Sequence, residues 1–209
     1  MRITHLGATR RGRITLYLDG EYSASLHPSA AGSLRAGLEL DEDELDELLR
    51  QSGMFSARAR ALELLSRRAM TSEMLRQRLR EKESEEASAA AVERMRELGL
   101  LNDGDWALRF AKDCMARRGF SAARTIRELE QKGIDRELAR RVTEEQEEDP
   151  REAIARIVAR KYKNAPDDEK AYRRALSALL RLGYRGGDIR AVIGNLREDE
   201  DYYAESGSE

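Results

Sequence analysis

Arg67-Arg68-Ala69-Met70-Thr71 returns fifty positions later as Arg117-Arg118-Gly119-Phe120-Ser121, and this recurrence decides the fold. Each copy sets two guanidinium groups at the end of an apolar-periodic run. A single apolar residue follows, then a hydroxyl residue able to cap a new helix. The register persists downstream, because Leu79 and Lys82 lie fifty positions before Leu129 and Lys132. The match therefore spans a whole helix.

Working outward, the first unit reads as a helix around Arg58 to Ala69, a second from Thr71 or Ser72, and a third from Ser84 to about Leu98-Gly99. The second unit runs Asp103 to Arg118, Ser121 to Lys132 and Asp135 to about Glu147, with Gly119 and Gly133 as helix stops. Asp149-Pro150 opens the third, a capping Asp followed by Pro at the first helical position. The third helices align at an offset of 51, with Ala87, Leu138 and Ile189 in one column and Ala91, Val142 and Ile193 in another. Apolar residues at i and i+4 in all three copies define one buried face. A period near fifty indicates a helical repeat whose units stack into an elongated, curved array.

The expected fold is mainly α, tandem three-helix repeats behind a small N-terminal β-hairpin and helical segment. Its divisions are 1–56, three-helix modules over 57–102, 103–149 and 150–198, and an acidic disordered tail over 199–209. In the N-terminal segment Ile14, Leu16 and Leu18 alternate with polar residues up to Asp19-Gly20, and Tyr22, Ala24 and Leu26 alternate after it. A three-residue loop pairs Leu18 with Tyr22, Leu16 with Ala24 and Ile14 with Leu26, which puts the apolar set on one face. A short earlier strand covers Arg2 to Leu6, a short helix runs from Pro28 to about Arg35, and Asp41 with Glu44 caps another carrying Leu45, Leu48 and Leu49.

Charge is unevenly spread along the 209 residues. Net charge is −3 over 1–56, +7 over 57–197 and −6 over 198–209. With 37% charged and 40% hydrophobic residues, slender helices that each bury one stripe suit the composition better than one thick core. A single cysteine, Cys114, excludes an internal disulfide and suits a reducing compartment. No run approaches the roughly 20 apolar residues of a membrane span. A soluble, cytoplasmic monomer is expected.

Enzyme machinery is lacking. The two histidines, His5 and His27, have no metal-ligand spacing around them, and Gly183, Gly186 and Gly187 lack the Lys-Ser/Thr of a phosphate loop. No catalytic residue, metal or cofactor is expected. Cys114 and the Trp106/Phe110 pair read as core. The candidate partner-binding residues are the repeated bases Arg67, Arg68, Arg76, Lys82, Lys112, Arg117, Arg118, Arg124, Arg127 and Lys132. Helix-dipole compensation explains a cation in a last turn. Repetition in register also gives a ladder of positive charge suited to carboxylates or phosphates.

Ala61-Leu62-Glu63-Leu64-Leu65-Ser66-Arg67-Arg68-Ala69, Thr71 to Leu79, Leu98-Gly99-Leu100-Leu101-Asn102-Asp103 and Arg117-Arg118-Gly119-Phe120 together resemble the bacterial RecX family. The resemblance covers 57–197. It implies a non-enzymatic modulator of the RecA recombinase, acting in recombination, DNA repair and the SOS response. Such a protein binds the RecA filament on single-stranded DNA and restrains ATP hydrolysis, filament growth and strand exchange, with weak direct DNA contact. One departure is the turn Lys82-Glu83-Ser84, a residue shorter than Lys132-Gly133-Ile134-Asp135 and without its glycine. The alternative function is a DNA-binding helical-repeat protein, and periodicity alone supports a helical scaffold for some other partner.

Overall fold

A computed structural model describes residues 1–146 and 148–206, with side chains as far as residue 196. The chain divides into two compact units, Met1–Asp103 and Gly104–Glu209.

The first unit begins with an antiparallel sheet of β1 (Ile3–Ala8), β2 (Ile14–Leu18) and β3 (Glu21–Leu26), in that order. Asp19 and Gly20 take φ of 50° and 90°, so the β2–β3 loop has two residues and pairs Leu18 with Glu21. The expected three-residue loop is thus corrected, yet the expected inner pairs form. A bulge after Tyr17↔Tyr22 shifts the register by one and restores Leu16↔Ala24 and Ile14↔Leu26. A one-residue slip would turn Leu16 or Leu26 to solvent, and the bulge prevents that. Both are fully buried with Ile3 in the N-terminal core.

The expected helix from Pro28 to Arg35 is only a 3-10 turn, Pro28–Ala30, whose cap His27 accepts at Nδ1 from the Ser29 N–H at 3.2 Å. Such tight helices are stable only in short pieces. Next comes α1 (Glu42–Arg67), capped reciprocally by Asp41 and Glu44. Two helices divided at residue 56 were expected here, and one continuous helix is found. Gly53 in its middle does not break it, because the two halves are anchored in different cores. Leu45, Leu48 and Phe55 join the sheet, whereas Ala57, Ala61 and Leu64 join the first three-helix core. The segments 1–56 and 57–102 therefore share this helix. It packs with α2 (Ser72–Arg80) and α3 (Glu85–Glu97) around Leu75, Leu79, Ala91, Val92 and Met95.

The second unit carries α4 (Asp103–Lys112), a π-helical turn over Asp113–Arg117, α5 (Ala122–Glu130) and α6 (Arg136–Glu144). It continues with α7 (Pro150–Lys161), α8 (Glu169–Arg181) and α9 (Gly186–Ser206). Two cores fill it, one around Ala107, Ala111, Leu129 and Val142, the other around Ile154, Val158, Leu179 and Ile189. The fifty-residue register appears directly in burial. Ala57 and Ala107, Ala61 and Ala111, and Leu79 and Leu129 are all fully buried. Where the sequence predicts plain helix to Arg118, the last turn is π, with the Arg118 N–H reaching the Asp113 carbonyl at 3.2 Å.

The α9 backbone continues through residues 199–206, where the acidic composition predicts a disordered tail. Extending a formed helix costs far less than starting one, so α9 propagates from its packed first turns. Of the expected tail, 207–209 lie outside the described residues.

Within the second unit the α8–α9 turn docks on the start of α5. The Ser121 N–H donates to the Leu182 carbonyl at 2.9 Å. Gly183, at φ +94°, leaves so little room that a Cβ there would lie 2.5 Å from Ser121 Oγ and 2.7 Å from Arg124 Cβ. Gly183→Ala should therefore lower stability by about 2 kcal/mol or more, from left-handed strain and overpacking together. In the same urea titrations Gly53→Ala, which meets nothing within 4 Å, should raise it by about 0.5–1 kcal/mol. A second expectation concerns the caps. Thr71 accepts from the Met74 N–H at 3.1 Å and Ser121 from the Arg124 N–H at 3.2 Å. Alanine at either position should cost about 1 kcal/mol.

Candidate partner-binding surface

The first helix of each module ends on two adjacent bases. Arg67 closes α1 and Arg68 caps it, Arg117 closes the π turn after α4 and Arg118 caps it, and Arg160 and Lys161 close α7. The third pair falls 43 residues after the second rather than fifty, so a search by fixed period passes over it.

The first two pairs are built alike. Arg67 meets Glu63 one turn back at 2.5 Å, and Arg117 meets Asp113 one turn back at 3.6 Å. Both guanidinium groups remain largely in solvent, at 70% and 84% side-chain exposure, where such pairs contribute little to stability. Arg118 shares Asp113 at 2.9 Å and lies 5.6 Å from the centre of the Phe110 ring. Phe110 stacks in turn on Trp106 with centroids 4.9 Å apart, and both rings pack on the second module's core. One carboxylate thus faces two cations, leaving positive charge at this joint.

The other expected site residues are dispersed. Arg76 pairs with Glu73 at 3.5 Å, half-buried on both sides, and Lys82 is exposed beyond α2. Arg127 donates to the Ala123 carbonyl at 3.3 Å, and Lys132 follows α5. Arg124 is committed within the unit. Its guanidinium stacks 3.8 Å from the Phe120 ring centre, donates to the Arg181 carbonyl and meets Glu128 at 3.4 Å. Its role in holding α5 to the end of α8 is therefore structural. Lys112 borders a cleft of about 320 Å³ with Phe120, Ser121, Arg156 and Tyr184. There Arg156 hydrogen-bonds Glu148 and holds its carboxyl below the usual range, while burial pushes the Tyr184 phenol up.

Cations that the fixed period does not reveal gather in the third module. Arg117 and Arg118 border one cleft with Arg160 and Lys161, and a second cleft adds Lys163 and Arg174. The available signal was local composition, nine bases against three acids between residues 156 and 185. Among the described residues no group of three or more His, Cys, Asp or Glu could hold a metal, and no helix is long and apolar enough to cross a membrane. Cys114 is fully buried and its thiol is pushed up by desolvation, which suits a core residue.

No protein-family profile matches the chain. The regulatory protein RecX of Amycolatopsis mediterranei is 36% identical over 148 residues, covering 69% of this chain and 83% of that protein. RecX of Streptomyces coelicolor is 33% identical over 150 residues, covering 69% and 79%. Among solved structures, a crystal structure of regulatory protein RecX superposes with a TM-score of 0.64 at 20% identity, over 95% of this chain and 98% of the other. The RecX structure from Lactobacillus salivarius gives 0.59 at 19% identity, over 69% and 96%. The two structures establish a shared fold, and the identity and coverage of the curated relatives go further: this chain belongs to the RecX family of regulatory proteins.

Proposed function

We propose that this chain is a non-enzymatic, cytoplasmic regulator that binds the RecA recombinase filament on single-stranded DNA as a monomer. It inhibits ATP hydrolysis, filament growth and strand exchange. The observation that carries this reading, beside membership of the RecX family, is the repeated pair of solvent-directed bases closing the first helix of successive modules. A filament presents the same surface at regular intervals, and repeated units with equivalent charges are suited to engage it. Guanidinium groups give planar, multi-donor contacts to carboxylates and phosphates, and an exposed pair released from a weak intrahelical partner loses little on rebinding.

The test is the ATPase of preformed RecA filaments on single-stranded DNA, titrated with this protein. The expected result is saturable inhibition, and an unchanged rate at saturating protein contradicts the reading. Reversing Arg67, Arg68, Arg117 and Arg118 together to Glu should remove inhibition while the far-ultraviolet circular dichroism stays helical. Full inhibition by the folded quadruple variant would reduce these arginines to dipole compensation. The reading of the chain as a DNA-binding protein is favoured by one observation: Arg160, Lys161 and Lys163 in the third module are exposed and have no acid partner among the described residues.

A further inference from the structure

Between β3 and α1 the chain returns along the outer edge of β1. The Ile3 N–H donates to the Leu38 carbonyl and the Leu40 N–H to the Met1 carbonyl, both at 2.8 Å. Fixed in this way, residues 30–40 and the first turns of α1 enclose a groove of about 450 Å³, within the size range of ligand pockets. Its floor is apolar. Ala30, Leu40 and Leu48 are buried in the N-terminal core, whereas Leu34 and Leu38 are only half-buried and face the groove. Its wall is acidic: Asp41, Asp43, Glu44 and Glu47 line it, and no base does.

Helix geometry accounts for part of this charge. Asp41 and Glu44 form the capping box of α1, and the dipole favours Glu42 and Asp43 in the first turn. It does not call for Asp46 and Glu47 in the second turn, or for Glu39 ahead of the cap. Seven acids fall between Glu39 and Glu47, and the cations nearest in sequence are the Met1 N-terminus, Arg2, Arg35 and Arg50. Arg50 is taken up by Glu47 at 2.7 Å and Glu86 at 3.2 Å, and the Met1 ammonium donates to the Leu40 carbonyl. Hydrogen bonds from Arg50 and Gln51 hold the Glu47 carboxyl at about 2, so it stays ionised. Glu39, Glu42, Asp43 and Asp46 are exposed and have no ion pair or side-chain hydrogen bond among the described residues.

Unanswered carboxylates repel a nucleic acid. A metal ion is a poor fit as well, because no group of three or more His, Cys, Asp or Glu among the described residues could hold one, and it would leave the apolar floor unused. Protein interfaces join an apolar centre to a polar rim, and this groove has that form with a rim of one sign.

We propose that the groove between residues 30–40 and α1 binds a Lys/Arg-rich peptide segment of a partner protein, with one large apolar side chain seated on Leu34 and Leu38 and its flanking cations against the acidic wall. The groove precedes the repeats and is opposite in charge to the arginine pairs assigned to the filament. It therefore takes a different partner, and the assay contains no recombinase, so either reading can fail alone.

The probe is a fluorescent peptide, Gly-Lys-Arg-Leu-Phe-Lys-Arg-Gly, followed by anisotropy with the full chain. A second peptide replaces Leu-Phe by Ala-Ala, and a third replaces all the bases by Gln. The intact chain should bind the first saturably and each of the others at least about tenfold more weakly, a difference of about 1.4 kcal/mol. Affinity for the first should fall as salt is raised. Two variants test the groove itself. Asp43→Lys, Asp46→Lys reverses charge along it, and Ser33→Trp fills it from an exposed position while leaving the N-terminal core intact. Each should weaken binding by about tenfold or more, and Glu144→Lys, Glu145→Lys at the end of α6 should bind within about threefold of the intact chain. If the double reversal unfolds α1 by circular dichroism, the neutral pair Asp43→Asn, Asp46→Asn replaces it, with an expected loss of about threefold or more. The proposal is overturned if the first peptide does not bind, or if the groove variants bind it like the intact chain. It is equally overturned if the Ala-Ala peptide binds as well, which leaves only a solvated acidic face, if the Gln peptide does, or if the α6 control loses as much.

Discussion

Burial of small residues at a repeated spacing is the constraint on which the modules depend. Ala57 and Ala61 on α1, and Ala107 and Ala111 on α4, are fully buried one turn apart, and the two pairs lie fifty residues from one another. In the first module, where α1 packs closely on α3, alanine lets the backbones come near, and at both pairs of positions it loses no side-chain entropy on burial. Cores as small as these otherwise hold few large side chains, such as Leu75 and Leu79 in the first module and Leu129 in the second. A larger residue at an alanine position would separate the helices and forfeit dispersion contacts along their whole length.

That economy shapes what remains outside. With one stripe of each helix buried, the other faces carry the charge, and its pairing varies along the chain. In the first unit several arginines, such as Arg50, Arg67 and Arg94, are answered by acids a turn away. In the second unit one carboxylate, Asp113, serves both Arg117 and Arg118, and the bases at the end of α7 have no acid partner among the described residues. Fold and surplus surface charge thus arise from the same composition. The modules need few apolar residues, and the surplus of bases can be placed where the fold does not consume it.

Much of this was legible in the sequence because periodicity is enforced by burial. The columns Ala87/Ile189 and Ala91/Val142/Ile193 fall in the cores, Cys114 is fully buried, Trp106 and Phe110 pack half-buried on the second module's core, and the caps Thr71, Ser84, Ser121, Asp135 and Asp149 start helices as read. What escaped depends on contacts distant in sequence. Continuity of α1 through Gly53 follows from the two cores that hold its halves, which local propensity does not register. The two-residue hairpin turn was hidden by a bulge that serves the same burial demand. Arg124 looked like one base among many, and only the fold brings Phe120 and the Arg181 carbonyl to it. The Arg160/Lys161 pair was missed because the third copy departs from the fifty-residue spacing.

The central claim is that the bases closing the first helices face the recombinase filament. A cryo-electron microscopy reconstruction of this protein on RecA filaments assembled on single-stranded DNA addresses it most directly. The account predicts added density along the filament, with the Arg67/Arg68 and Arg117/Arg118 helix ends against RecA or its DNA. Filaments bare at saturating protein, or bound molecules with those helix ends directed into solvent, would contradict it.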